Sequence, residues 1–396
     1  MVPRDLEKKL LALARKFPVV TVTGPRQSGK TTLCRAAFPG KAYVSLEAPD
    51  IREYATRDPR GFLAEHSKGA ILDEVQRVPE LLSYLQGDVD ARPERGRFVL
   101  TGSANLALLQ STTQSLAGRT ALLNLLPLGL DEVRRFPNAP GELLEVLWMG
   151  GYPALFDRDL SPPDWFSGYV GTYVERDVRQ MLKVGDLGTF QTFLRLCAGR
   201  SGQLLNFSAL AADCGVTHGT ARAWISVLEA SFIVFRLPPF HSSANKRLVK
   251  TPKLHFYDSG LLCFLLGIRA PEQLAAHPLR GAIFETWVAA EILKARVHRG
   301  LPPGLLFFRD RKGAEVDVVL ESGERLLAIE TKSGRTVAED FFAGLTAFQQ
   351  LVGSGRRARP LQLVLVYGGT ERQKRTRVDV LPWSMIDEYD WTGGEA

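Results

Sequence analysis

Short runs of β-branched and aliphatic residues alternate with helical stretches along the first third of the chain. The runs cover residues 19–23, 43–46, 70–72, 98–100 and 122–125. Alternation of this kind is typical of a parallel sheet that is covered by helices on both faces. We therefore predict an α/β domain, whose pattern fades between residues 127 and 140.

The middle of the chain has a different pattern. Helical stretches at 165–184 and 190–199 precede a helix and glycine turn at 207–216, a second helix at 217–228 and a strand-like run at 232–235. Two helices joined by a glycine turn and followed by strands are the order expected of a winged helix-turn-helix. The sequence therefore predicts such a region in the middle of the chain.

The length of the chain and these changes of pattern divide it into domains. A chain of 396 residues is too long for one ordinary hydrophobic core. From about residue 280, a helix leads into strands at 316–320 and 326–330. We place the first α/β domain at residues 1–140, the helical and winged-helix region at 141–275 and a further α/β domain at 276–396.

The charge of the chain gives only a modest indication of its partners. The net charge of +7 favours phosphate-bearing partners. Residues 235–257 contain no acid, and a second basic run covers residues 356–359 and 372–377. Either run on its own is most simply a solvated surface.

Several classes of protein are excluded by the remaining composition. The four cysteines are scattered without a CxxC pair, so neither a disulfide framework nor a zinc site is indicated. The helical spacing of Leu6, Leu10 and Leu13 predicts an amphipathic helix and not a signal peptide. Apolar runs such as residues 121–130 are too short to cross a bilayer. We expect a cytoplasmic protein with no membrane partner.

A phosphate-binding loop follows the first strand. Residues 24–31, GPRQSGKT, fit the pattern G-x-x-x-x-G-K-[ST] with no mismatch, between a strand and a helix. Lys30 is expected to reach the β- and γ-phosphates, and the Thr31 hydroxyl to ligate Mg²⁺. The candidate nucleotide-binding residues are Gly24, Pro25, Arg26, Gln27, Ser28, Gly29, Lys30, Thr31 and Thr32.

Two adjacent carboxylates end the apolar run at residues 70–72. Because charges at the end of a buried strand need partners, Asp73 is expected to hold the Mg²⁺ shell. Glu74 is expected to orient or deprotonate the attacking water. The predicted cofactors are therefore ATP and Mg²⁺, and the predicted activity is ATP hydrolysis.

Polar residues near the next strands could complete the site. Thr101 or Ser103, at the end of residues 98–100, is a candidate sensor of the γ-phosphate, although a strand cap explains either residue almost as well. Arg119 is a candidate arginine finger, within the chain or across a subunit interface. The competing arginines are Arg77, Arg176 and Arg179.

Segments along the whole chain resemble a known family. They are GPRQSGKTTL, YVSLEAPD, DPRGFL, ILDEVQRVPELL, LTGSANL, SLAGRTALLNLLPL, YVERDVRQ, KTPKLHFYDSGLL and GAEVDVVL…IETKSG. In combination they resemble a large prokaryotic family of AAA-type ATPases. The resemblance implies an N-terminal AAA-type P-loop NTPase module, a middle winged-helix region and a C-terminal domain of unknown function. It also implies ATP binding with Mg²⁺ and a homo-oligomer, a ring or hexamer included.

The C-terminal third resembles the PD-(D/E)xK restriction-endonuclease fold. Asp317 and Glu330 would hold a divalent metal in such a site, and Lys332 would polarise the attacking water. Glu285 and Gln349, on flanking helices, complete the candidate set. Folds of this type also serve as binding or scaffolding modules, so cleavage stays open.

DNA is the macromolecular partner that we predict. The candidate recognition helix presents Thr217, His218, Thr220 and Arg222. The acid-free stretch after it would contact phosphate through Lys246, Arg247, Lys250 and Lys253. A winged helix can equally act as a lid or an oligomer contact.

Two functions follow from these predictions. The first is an ATP-driven motor or remodeller that acts on DNA and carries a nuclease-like C-terminal domain. The second is a nucleotide-dependent regulatory switch or scaffold that binds a protein partner, with a C-terminal domain that does not cleave.

Overall fold

Two compact units make up the chain in a computed structural model that describes residues 2–103, 116–158, 160–174, 187–240, 250–323, 325–353 and 359–394. Unit 1 comprises Met1–Pro127, Ala230–Phe232 and Val297–Gly300. Unit 2 comprises Leu128–Glu229, Ile233–Arg296 and Leu301–Ala396. The expected division into three domains stays a prediction.

Five parallel strands form the sheet of unit 1. They are β1 (Val19–Thr23), β2 (Ala42–Ser45), β3 (Ala70–Asp73), β4 (Phe98–Thr101) and β5 (Thr120–Asn124). Their order across the sheet is β2-β3-β4-β1-β5, so β1 is central and β3 lies beside β4. The carboxyl ends of β1, β3 and β4 therefore meet at one edge.

Helices cover both faces of this sheet. They are α1 (Leu6–Ala14), α2 (Lys30–Ala37), α3 (Pro49–Arg57), α4 (Pro59–Glu65) and α5 (Leu81–Ala91). Because successive strand residues point to opposite faces, Val20 and Val99 pack with α1 and α2, whereas Leu72 and Leu100 pack with α4 and α5. The predicted N-terminal helix is present, with Leu6 and Leu10 buried.

The first part of unit 2 is helical. Its helices are α6 (Leu130–Val133), α7 (Leu143–Met149), α8 (Pro153–Asp157), α9 (Pro162–Tyr169), α10 (Leu187–Ala198), α11 (Phe207–Cys214) and α12 (His218–Ala230). Gly215, in the left-handed conformation (φ 71°), ends α11 and allows the turn into α12. A π-turn at Val170–Val174 follows α9, and the rest of the helix predicted at 165–184 lies outside the described residues.

The strands of unit 2 form two sheets. A two-stranded antiparallel sheet contains β6 (Val234–Leu237) and β7 (Lys253–Phe256). A mixed six-stranded sheet has the order β12-β13-β11-β10-β9-β8. Its strands are β8 (Leu305–Arg309), β9 (Glu315–Ser322), β10 (Arg325–Lys332), β11 (Leu361–Tyr367), β12 (Gln373–Lys374) and β13 (Asp379–Pro382).

Three further helices belong to this part of unit 2: α13 (Ser259–Leu265), α14 (Arg280–Val297) and α15 (Ala343–Gly353). Leu345 and Phe348 of α15 pack on one face of the six-stranded sheet. The strand predicted at 232–235 begins later, at Val234, because Phe232 has a left-handed backbone (φ 54°) that a strand cannot contain. In the described part of the chain, every helix is too short or too polar to cross a membrane.

Candidate functional site

The loop between β1 and α2 has the backbone that phosphate binding requires. Gly24 (φ 147°), Gln27 (φ 58°) and Gly29 (φ 92°) all have positive φ angles, and turns of this kind are common where backbone amides bind an anion. A Cβ atom on Gly24 would lie 2.1 Å from the Leu125 carbonyl oxygen. Glycine at position 24 is therefore a steric requirement of the loop.

An arginine that the sequence analysis did not consider supports this loop. The buried Arg4 guanidinium donates through Nη1 to the Ser28 carbonyl oxygen at 2.6 Å and through Nη2 to that of Leu126 at 2.8 Å. Arg4 lies just before α1, far from the motif in sequence, so only its place beside an amphipathic helix could have drawn attention to it.

Lys30 folds back over the loop from the first position of α2. Its Nζ donates to the carbonyl oxygens of Gly24 at 3.1 Å and Pro25 at 2.7 Å. Burial lowers the pKa of Lys30 to about 8, and the Glu74 and Asp73 carboxylates partly oppose this shift. The ammonium is thus a poorly solvated cation inside the loop, which an anion would stabilise.

The Asp73 carboxylate, at the end of β3, accepts hydrogen bonds from hydroxyl groups on three other elements. Thr31 Oγ1 lies 3.0 Å from Asp73 Oδ2, Tyr43 donates to the same oxygen at 2.7 Å, and Thr101 donates to Oδ1. Burial and this bond to Asp73 raise the pKa of Tyr43 to about 12. The predicted partners Thr31 and Asp73 therefore lie together, and Tyr43 is an additional member.

Glu74 lies beside this group and has different partners. Its Oε2 atom accepts hydrogen bonds from Gln76 Nε2 and, at 3.5 Å, from Ser103 Oγ. Gln76 Nε2 also donates to Ser103 Oγ at 2.9 Å. Glu74 itself has a left-handed backbone (φ 56°), which turns its side chain out of the strand direction. Sequence reasoning missed Gln76, although its position two residues after Glu74 was a signal.

The chemistry of this site fits a nucleotide and Mg²⁺. Ser28 Oγ is fully buried and has no hydrogen-bond partner among the described residues. Because buried hydroxyl groups normally have a partner, this hydroxyl suits a hydrogen bond to a phosphate oxygen of a bound nucleotide. The Thr31 hydroxyl and the Asp73 carboxylate are the hard oxygen ligands that Mg²⁺ prefers. Both could therefore hold that ion.

The candidate arginines lie in different surroundings. Arg119 forms a two-bond ion pair with Asp90, at 2.6 and 2.8 Å, on the partly exposed surface of unit 1. Arg77 pairs with Glu47 at 3.4 Å. Arg176 and Arg179 lie outside the described residues. The arginine finger stays a prediction.

A second cluster of charged groups lies in unit 2. Lys253 Nζ of β7 lies 2.7 Å from Glu285 Oε1 on α14, contacts Glu315 Oε1 and is 3.8 Å from Asp317 Oδ1 on β9. The lysine side chain is only 2% exposed. Our expectation that Lys253 contacts phosphate of a partner was therefore wrong, because its ammonium is buried among carboxylates of its own chain.

Glu330 and Lys332, on β10, form an adjoining pair in this cluster. Lys332 Nζ donates to Glu330 Oε1 at 2.6 Å. Burial, with the nearby Asp317 carboxylate, raises the pKa of both Glu285 and Glu330 to about 8. The Lys253 and Lys332 ammonium groups oppose these shifts.

The residues of this cluster do not fit a divalent metal. Thr331 donates to Asp317 Oδ2 through its backbone N at 2.8 Å and through Oγ1 at 2.7 Å, and Oδ1 faces Lys253. Among the described residues, there is no group of three or more histidine, cysteine or acidic side chains that could hold a metal ion. The expected metal site at Asp317 and Glu330 stays a prediction, which these contacts oppose. Gln349 of the same candidate set lies half-buried on α15.

The candidate recognition helix is α12. Thr217 Oγ1 caps it by accepting from the Thr220 backbone N at 3.1 Å. His218 and Arg222 are exposed, and each packs on the Phe207 ring at 5.8 Å. Lys250 is exposed, whereas Lys246 and Arg247 lie outside the described residues.

The chain is similar in sequence to three family models and to two mycobacterial proteins. Models of three families match it in succession: an AAA domain at residues 16–134, a domain of unknown function (DUF8612) at 141–272 and a domain of unknown function (DUF4143) at 280–386. "Uncharacterized protein Rv2008c" of Mycobacterium tuberculosis and "Uncharacterized protein Mb2031c" of Mycobacterium bovis are each 32% identical over 338 residues, which is 84% of this chain and 74% of theirs. The chain belongs to their family.

Unit 1, which the AAA-domain model matches, has the P-loop NTPase fold that the sequence predicted. The mixed sheet of unit 2 belongs to an α/β domain, also as predicted. A solved structure, the Walker-type ATPase PABY2304 of Pyrococcus abyssi, aligns with 66% of this chain and 94% of its own, at 16% identity and a TM-score of 0.44. RuvB of Thermotoga maritima aligns at 18% identity and a TM-score of 0.32, over 60% of this chain and 90% of its own.

Proposed function

We propose that this protein binds ATP with Mg²⁺ and hydrolyses it at the loop of unit 1. One observation carries the proposal: Thr31 Oγ1, at the start of α2, lies 3.0 Å from the Asp73 carboxylate at the end of β3. The phosphate-binding loop and the acidic strand end are therefore parts of one site, and Glu74 adjoins it.

Each side chain has a role in this proposal. The Lys30 ammonium exchanges the carbonyl oxygens of Gly24 and Pro25 for phosphate oxygens. Thr31 and Asp73 hold Mg²⁺, which when bound neutralises charge on the phosphates. Glu74 accepts the proton of the attacking water, and Gln76 and Ser103 orient its carboxylate.

We propose two further roles for residues near this site. Thr101 and Ser103 each bond to one member of the acidic pair, so either could transmit the state of the γ-phosphate. Arg119 would act across a subunit interface of a homo-oligomer, after release from Asp90.

Steady-state ATP hydrolysis with Mg²⁺ tests the activity. We expect Lys30→Ala to lose turnover by at least about a hundredfold, because charge compensation at the phosphates is lost. The matched control is Lys68→Ala, which removes an exposed lysine of the same unit. Turnover by Lys30→Ala at the rate of the control would show that the site is wrongly assigned.

We propose DNA as the partner on which hydrolysis acts, in a motor or remodeller. Support comes from exposed His218 and Arg222 on α12 and from exposed Lys250. These groups suit contacts that follow the phosphate backbone, whose strength falls as salt rises.

Hydrolysis with and without single-stranded, duplex and branched DNA, at two salt concentrations, tests this partner. We expect stimulation that weakens at the higher salt and is reduced in Arg222→Ala. Arg325→Ala, which removes an exposed arginine on β10, is the control. Hydrolysis that every DNA leaves unchanged would refute the DNA-acting function.

The second candidate function is a nucleotide-dependent switch or scaffold with a C-terminal domain that does not cleave. The observation that favours it is the position of the Lys253 ammonium beside Glu285 and Asp317, two carboxylates of the candidate metal set. It predicts an oligomeric state that changes with ATP. Light scattering that gives the same mass with and without ATP would refute this function.

A further inference from the structure

We propose that Lys253 is a built-in cation that closes the carboxylate cluster of unit 2 to divalent metals, so that this cluster binds no Mg²⁺ or Mn²⁺ and cuts no phosphodiester. The inference does not rest on ATP hydrolysis, because the cluster and the phosphate-binding loop belong to different units. It assigns to Lys253 a role opposite to the phosphate contact expected from its basic surroundings in the sequence.

The Lys253 ammonium occupies the position among the carboxylates that a metal ion would need. Lys253 Nζ faces Glu285, Glu315 and Asp317, which come from α14 and β9. A divalent cation in a carboxylate site takes the same oxygens at about 2.0–2.6 Å. Because a second cation at that distance from an ammonium is strongly repelled in a poorly solvated site, the metal and Lys253 exclude each other.

The backbone fixes the direction of this side chain. Lys253 opposes Leu237 in the β6–β7 ladder and forms a bridge to Leu204. His255, two residues on, points to the same face and lies 3.1 Å through Nδ1 from Thr286 Oγ1 of α14. The face of β7 that carries Lys253 is thereby held against α14.

Close packing leaves little room for the ammonium to leave. The loop residue Gly202 bonds to the Leu254 carbonyl oxygen at 2.7 Å, and a Cβ on Gly202 would lie 3.2 Å from Glu285 Oε2. On the other side, Nζ lies 5.5 Å from the centre of the Phe307 ring. Withdrawal of Lys253 would leave buried carboxylates without a counter-charge, which is strongly unfavourable.

The remaining carboxylates do not make a separate site. Asp317 Oδ2 accepts two hydrogen bonds from Thr331, and Oδ1 lies 3.8 Å from the Lys253 ammonium nitrogen. Glu330 Oε1 is bonded to Lys332, which leaves Oε2 as its one atom without a hydrogen bond among the described residues. A single carboxylate oxygen beside a lysine is too few ligands for Mg²⁺ or Mn²⁺.

Mn²⁺ binding to the full chain without nucleotide tests the proposal. Free Mn²⁺ is measured by its electron paramagnetic resonance signal for the wild type, Asp317→Asn, Lys253→Met and Lys253→Met/Asp317→Asn. Any Mn²⁺ at the phosphate-binding loop is the same in all four proteins and cancels in the comparison. Lys312→Met controls for the loss of one positive charge, because Lys312 is an exposed lysine of the same unit.

We expect identical binding by the wild type, Asp317→Asn and Lys312→Met. Lys253→Met should gain one site that is at least about tenfold tighter than any wild-type binding at this cluster, and the double variant should lose it. Two results would overturn the proposal: wild-type binding that Asp317→Asn removes, or a folded Lys253→Met that binds no more Mn²⁺ than the wild type. If Lys253→Met does not fold, the comparison of wild type with Asp317→Asn still decides.

Failure of this proposal and failure of the proposed ATPase are separate results. Loss of ATP turnover in Lys30→Ala bears on unit 1 alone. Metal-dependent cleavage of duplex or single-stranded DNA that Asp317→Asn abolishes would overturn the inference about Lys253 and leave the ATPase untouched.

Discussion

At the scale of single residues, the two acids at the end of β3 are neighbours with separate partners. Asp73 accepts from the hydroxyl groups of Thr31, Tyr43 and Thr101, whereas Glu74 is held by Gln76 and Ser103. The first environment suits a metal ligand. The second positions a carboxylate through neutral donors, which suits a general base.

Glu74→Gln should therefore separate binding from chemistry. The amide keeps the shape of the side chain but accepts no proton, so we expect ATP affinity within about threefold of wild type and turnover lower by about 10²–10⁴-fold. Binding is measured with a fluorescent ATP analogue, and turnover by phosphate release. Glu80→Gln, an exposed acid after the same strand, is the control. Equal turnover by both variants would contradict the role of Glu74.

His255, beside the charged cluster of unit 2, makes the stability of the folded chain depend on pH. Burial, helped by the nearby Lys253 ammonium, lowers the pKa of His255 to about 3. Below pH 6.5 the His255 imidazole binds a proton in the unfolded chain but stays neutral in the folded chain. This contribution to stability is complete above pH 6.5 and is lost as the pH falls towards 3, by up to about 1.4 kcal/mol per pH unit.

His255→Gln should flatten this dependence, because glutamine does not titrate and can still bond to Thr286. The measurement is the urea midpoint of unit 2 between pH 7 and pH 4.5, followed by tryptophan fluorescence. The carboxylates titrate in both proteins, so the difference between the two curves reports His255. Parallel curves would show that His255 is not buried as a neutral ring.

At the scale of elements, α1 and the phosphate-binding loop are joined through one arginine. Arg4 bonds to two backbone carbonyl oxygens, one in the loop and one after β5. We expect Arg4→Met to destabilise unit 1 by about 2–3 kcal/mol, because two buried acceptors lose charged donors, and to weaken ATP binding. Arg15→Met, an exposed arginine just after α1, is the control. Thermal unfolding and the affinity for an ATP analogue measure both effects, and values equal to the control would refute this link.

The elements also show why part of the site could be predicted. The loop and its flanking strand and helix are contiguous, and the strand order of a parallel α/β domain brings Asp73 to the same edge. Lys253 was misplaced because its sequence neighbours contain no acid, whereas its partners Glu285, Glu315 and Asp317 follow much later in the chain. Only the three-dimensional packing of β7 against α14 and β9 reveals them.

At the scale of the whole molecule, unit 1 is assembled from distant segments of the chain. Residues Val297–Gly300 belong to it together with Met1–Pro127. His298, only 2% exposed, accepts through Nε2 from the Leu126 backbone N at 3.1 Å. The return of the chain therefore completes the hydrogen bonding just after β5.

His298→Ala should loosen the end of this sheet. The buried Leu126 amide loses its acceptor, which is worth about 1–3 kcal/mol. We expect faster hydrogen exchange at the amides that follow β5, measured by mass spectrometry on the full chain. His277→Ala, which changes a histidine in unit 2, should leave these amides unchanged. Unaltered exchange in His298→Ala would contradict the importance of the returning segment.

This return of the chain has a consequence during synthesis on the ribosome. Between Pro127 and Val297, about 170 residues must be translated, which takes roughly 8–35 s at about 5–20 residues per second. During that time the N-terminal part of unit 1 has been synthesised, but Val297–Gly300 are still missing from it. Rare codons in this interval would lengthen the time before the Leu126 amide gains its acceptor on His298.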